Sequence, residues 1–211
     1  MNCDKIVKNT EKFNIKNNSN RQFLESLKML IPQKNNLLHV IIFVIIELKF
    51  ARMLAKRIDT IGLMENVLQV LFGCMLALLG IVFTGYVFFQ ALINDKLLVT
   101  LVEAGDNKLY ESDIYFVNVM NLHMGCVFLD LLLVVGMIVL PENWTLFAEN
   151  ILNECLATAG IVFLLYVNIE TIWEMKSFIF NIFQIFNLHA FSRVCKIIKD
   201  GKDSENERDY K

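Results

Sequence analysis

From Val67 to Ile93 the chain runs 27 residues without a charged side chain, and from Ile114 to Leu129 it does so again. A helix needs about 20 predominantly apolar residues to cross a hydrocarbon layer roughly 30 Å thick. The first run, VLQVLFGCMLALLGIVFTGYVFFQALI, is apolar on every face, whereas a surface helix of a water-soluble domain keeps a polar one. These two segments restrict the chain to an all-α membrane protein. With 55% hydrophobic residues and only 2 Pro in 211, long uninterrupted helices are expected. A transmembrane barrel would instead show short alternating segments broken by turn residues.

The sequence predicts a bundle of about four transmembrane helices with a cytosolic amphipathic helical extension. The expected spans are 37–54, 67–93, 114–140 and 151–172, inside a transmembrane domain covering 37–194. The first has a short apolar core before Glu47, Lys49 and Arg52, so it fits an interfacial helix as well as a span. The fourth carries Glu154 and Glu170 near its ends, within reach of the headgroups. Residues 1–36 form a polar, Asn- and Lys-rich segment in place of a signal peptide. Phe23, Leu24, Leu27, Leu30 and Ile31 give it one short amphipathic stretch before Pro32. Residues 195–211 read as a polar, disordered tail.

Charge orients the spans. Lys and Arg number seven in residues 1–36, four in 49–66, two in 94–113 and seven in 173–211. With four spans and a cytosolic N-terminus, 16 positives lie inside and four outside, and both termini are cytosolic. Lys49, Arg52, Lys56 and Arg57 are the exception. The sequon Asn143-Trp144-Thr145 falls in an external turn in this topology, which makes Asn143 a candidate glycosylation site.

Asp130 is the most costly residue in the sequence. It stands within FLDLLLVVGMIVL, where a charge costs at least about 2.5–3.5 kcal/mol unless it is neutralised, paired or watered. His123 lies two helical turns earlier on the same face, with Asn118 and Asn121 nearby. Such a polar stripe serves either an interhelical hydrogen-bond network or a water-filled ligand or ion pathway, so Asp130, His123 and Asn118 are candidate ligand-binding residues. In the second span Gly73, Ala77, Gly80, Thr84 and Gly85 recur at three-to-four-residue spacing, a pattern that lets helices approach closely in lipid. Gly73, Ala77 and Gly80 are therefore expected to form a packing seam.

No catalytic constellation appears. His39, His123 and His189 fall on separate segments, and no HExxH, GxSxG, P-loop or GxGxxG occurs. The five cysteines form no CxxC pair, so neither a zinc site nor a disulfide framework is indicated. The chain is expected to be no enzyme and to bind no cofactor, metal or nucleic acid. Its expected partners are the lipid bilayer, other transmembrane helices in a homo- or hetero-oligomer, and a small-molecule ligand.

The stretch from Arg57 to His123 resembles the insect chemoreceptors of the gustatory and odorant superfamily. Glu65 stands ahead of an apolar span, and the Leu-rich amphipathic loop NDKLLVTLVEAGDNKL then leads into another. LLYVNIETIWEMKSFIFNIFQIFNLHAF is similar to their fourth span extended into the cytosol. The resemblance implies a cytosolic N-terminus, a plasma-membrane location and detection of small molecules. That family has seven spans, with a Thr-Tyr signature and the pore-lining helix in the last. It therefore implies a partial receptor here, gating cations only when complete. Two alternatives stand beside it: a four-span structural or accessory membrane protein, and a proton- or solute-handling transporter using Asp130.

Overall fold

The computed structural model describes residues 19–32, 37–57, 59–92, 108–141 and 144–209. Among these the regular structure is entirely helical. Helix α1 spans Ser19–Ser26 and runs into a 3₁₀ turn, Leu27–Leu30. The longer helices are α2 (Leu37–Ala55), α3 (Thr60–Leu92), α4 (Lys108–Val139) and α5 (Asn150–Asp209). Asn143 and the Leu-rich loop ahead of α4 lie outside the described residues.

Local chemistry sets the helix starts. Asp59 Oδ1 accepts a hydrogen bond from the Gly62 amide at 3.2 Å, capping the first turn of α3. Before α5, Asn153 closes the turn on itself. Its Oδ1 accepts from the amides of Leu146 (3.1 Å) and Phe147 (2.9 Å), and its Nδ2 donates to the Phe147 carbonyl at 2.7 Å. Lys56 approaches Glu154 at 3.6 Å, a surface pair that gives one of the four exceptional cations a local partner.

Three helices, α3, α4 and α5, are long and apolar enough to cross a membrane. Helix α2 coincides with the first expected span, but Glu47, Lys49 and Arg52 keep it below that standard. Only 17% of the most apolar window of α3, and 22% of that of α4, is buried within the chain. A water-soluble bundle turns such surface inward. Here Leu38, Ile41, Ile42, Ile45 and Ile46 of α2 and Phe128, Leu132, Val135 and Val139 of α4 face outward, while Glu47, His123, Asp130, Asn168 and Thr171 are buried. The distribution is that of a chain solvated by lipid.

The backbone of α5 stays helical to Asp209, past the expected extension and through residues that read from the sequence as a disordered tail. No proline interrupts it, since the two prolines of the chain are Pro32 and Pro141. At 1.5 Å per residue its 60 residues measure about 90 Å, roughly three times the hydrocarbon thickness. Glu170 therefore lies within the helix rather than at a frayed end, and it is buried instead of reaching headgroups.

The chain divides into two compact units. The larger, Asn17–Ile81 with Val117–Met175, holds a cluster of Ala51, Met64, Leu68, Ile161 and Leu164, with Leu133, Val134 and Met137 packed against it. All four long helices contribute to that cluster. A second cluster in the same unit joins Met75, Cys126 and Val167, with Leu30 and Tyr166 against it. The Tyr166 hydroxyl donates to the Leu30 carbonyl at 2.7 Å, tying the 3₁₀ turn to α5. Tyr166→Phe is expected to loosen this tie by about 0.5–1.5 kcal/mol, read as faster limited proteolysis within residues 19–32 and little change elsewhere.

In the smaller unit Phe116 packs tilted against Phe89 and edge-on against Phe178, with centroids 4.7 and 5.3 Å apart. The close approach occurs at Gly85, where a Cβ would stand 2.6 Å from both Phe178 Cζ and Ile182 Cδ1. A Cβ at Gly73 or Gly80 would meet nothing within 4 Å, and Gly73, Ala77 and Gly80 are exposed. Within the chain, then, the expected seam at those three residues is not a packing contact. Small residues permit close approach without requiring it, and here α3 uses Gly85. Gln90 donates to Asp113 (3.2 Å) and to the Tyr86 hydroxyl (2.9 Å), which in turn donates to Asp113 at 3.1 Å.

Candidate functional site

Helix α4 aligns His123, Cys126 and Asp130 at intervals of three and four residues, which places them on one face. Helix α5 answers with Asn168 and Thr171, three residues apart. All but Cys126, at 2%, are 0% exposed. Asn168 Nδ2 donates to Asp130 Oδ1 at 3.1 Å and to the carbonyl of Leu164 at 3.0 Å. One step along, Thr171 Oγ1 lies 3.1 Å from Cys126 Sγ. Because 130 pairs with 168 and 126 with 171, the two helices run antiparallel along this ladder.

Donor and acceptor roles follow from what each carbonyl can accept. The Thr171 hydroxyl donates to the Val167 carbonyl at 2.7 Å, so its proton is committed and the Cys126 thiol donates to it. His123 Nδ1 lies 2.9 Å from the Val119 carbonyl, which can only accept. Nδ1 thus carries a proton, and Nε2 is the ring atom left open.

Three open positions remain on this face. Asp130 Oδ2, Asn168 Oδ1 and His123 Nε2 are enclosed and have no hydrogen-bond partner. Buried polar atoms of this kind are uncommon, and each calls for a physical account. Together they offer acceptors to a ligand bearing hydroxyl or amine donors. Among the described residues no group of three or more His, Cys, Asp or Glu side chains is arranged to hold a metal ion.

Of the three residues that sequence singled out, Asp130 and His123 share this face. Asn118 is half-buried with its Oδ1 enclosed and unbonded, and no hydrogen bond among the described residues joins it to the other two. The partners Asn168 and Thr171 were missed, although their three-residue spacing in an apolar span was the available signal. A second buried group was missed as well. His39 Nε2 of α2 lies 3.6 Å from Glu170 Oε1, the His39 ring stacks on Trp173 at 4.4 Å, and Glu47 is buried with both carboxylate oxygens unbonded. Comparisons with family models, with curated proteins and with solved structures found no match for this chain.

Proposed function

We propose that this chain is an integral membrane protein that detects small molecules, a receptor of the insect chemosensory kind, lying in the plasma membrane with both termini cytosolic. The observation that carries this reading is the buried face of α4 and α5, where Asp130, His123 and Asn168 hold unfilled hydrogen-bonding positions between lipid-facing helices. Polar residues inside a membrane domain mark pathways or ligand sites by default. The resemblance of the Arg57–His123 stretch and of the extended fourth span supports the same class. In this reading α2 is a fourth span, and the Asp130 face is the ligand-recognition surface.

The test is thermal stabilisation of the purified full chain in nanodiscs, scanned over small volatile and water-soluble organic compounds. A ligand at 100 times its Kd adds about 2.7 kcal/mol. At least one compound is expected to stabilise saturably, and Asp130→Asn is expected to remove that effect while leaving the unliganded midpoint in place. A set without a stabiliser, or one whose effect is indifferent to Asp130→Asn, would defeat the reading.

Topology is tested separately. Tags at both termini are expected to be inaccessible in intact cells and accessible after permeabilisation, as the 16-to-4 charge split requires. An external terminus would sink the four-span arrangement.

The exposed Gly73, Ala77 and Gly80 face favours a second reading, an accessory protein that joins other membrane helices. There, stable co-purification with a helical membrane partner would be abolished by Gly80→Leu.

A further inference from the structure

We propose that Glu47 of α2, with His39, Glu170 and Trp173, forms a recognition site for a small protonated amine, separate from the Asp130 face. Glu47 is 3% exposed and Glu170 5%, so both carboxyls are withdrawn from solvent. Glu170 acts electrostatically on Glu47, and both act on the Tyr166 hydroxyl. That hydroxyl is already committed to the Leu30 carbonyl. His39 Nε2 stands 3.6 Å from Glu170 Oε1.

Glu170 has a ring nitrogen beside it, whereas neither oxygen of Glu47 has a hydrogen-bond donor. The surroundings select the missing donor. Trp173 stacks on His39 with centroids 4.4 Å apart, and Phe43 stands edge-on to both rings at 5.8 and 6.0 Å. Glu47 follows Phe43 by four residues and His39 by eight on one face of α2, and a carboxylate with aromatic rings is the pairing that recognises an ammonium group, through a charge-assisted hydrogen bond and the ring quadrupole. A divalent ion would need more oxygen ligands than this group supplies. A bare proton would quiet Glu47 without using the rings, and the experiment below separates that case.

The chain has 2 Trp, Trp144 and Trp173, so Trp144→Phe leaves Trp173 as the sole fluorescent reporter beside the site. The full-length variant in zwitterionic nanodiscs is titrated at neutral pH with 2-phenylethylammonium chloride and, in parallel, with 2-phenylethanol. Saturable change in Trp173 emission is expected, with apparent affinity at least tenfold tighter for the amine. Glu47→Gln should abolish the discrimination, and Glu170→Gln should reduce it. Equal responses to amine and alcohol, as a simply protonated Glu47 would give, overturn the proposal. So does amine preference that survives both Glu variants when circular dichroism shows them folded. Should Glu47→Gln fail to fold, the amine-to-alcohol comparison and Glu170→Gln still decide.

Discussion

Asp130→Lys lowers the thermal midpoint of the detergent-solubilised chain by roughly 5–14 °C, or prevents its accumulation, whereas Asp130→Asn leaves it nearly unchanged. The lysine puts a cation of greater length where Asp130 is 0% exposed, at a cost of at least about 2.5–3.5 kcal/mol. The amide keeps an acceptor for Asn168 Nδ2. It also adds a donor to a pair whose second oxygens, Asp130 Oδ2 and Asn168 Oδ1, both lack one. Asp130→Asn is therefore expected to lie within about 1 kcal/mol of the parent. Midpoints measured side by side check this, and a lysine variant as stable as the asparagine variant would show that position 130 reaches water.

Gly85→Leu and Gly80→Leu are expected to part company. At Gly85 the first added carbon already falls 2.6 Å from Phe178 and Ile182. Phe178 is fully buried against Phe116 and has little room to swing away. Overpacking of this kind costs about 1–3 kcal/mol and sometimes more. At Gly80 the added carbon meets nothing, and replacing glycine in a helix favours the helix by roughly 0.5–1 kcal/mol. Size-exclusion and thermal melts of both variants test the contrast. Loss of a folded monomer in Gly80→Leu would restore the seam that the small-residue pattern implied.

The sequence carried the helical class and its apolar, membrane-crossing character, because 27 uncharged residues leave a chain few alternatives. It also led to Asp130 and His123, since a charge or imidazole in an apolar run is visible without coordinates. Partners were not visible. Asn168 and Thr171 matter because α5 runs antiparallel to α4 at one register, and composition contains no register. Glu170 was misplaced for a related reason. Hydropathy places the end of a span but not which side chains other helices cover, and Glu170 is buried there. The glycine pattern of α3 named five small positions and left undecided which of them faces a neighbour.

The partnership between α2 and α5 has a consequence for how the protein is made. Glu47 and Glu170, the carboxyl that acts on it electrostatically, are separated by 123 residues. At 5–20 residues per second, a ribosome needs roughly 6–25 s to deliver the second after the first. During that interval α2 holds Glu47, Lys49 and Arg52 with no α5 to cover them, while α3 enters the bilayer on its own apolarity. For α2 to be the fourth span proposed above, insertion order has to depart from chain order, with α2 held at the interface until α5 emerges.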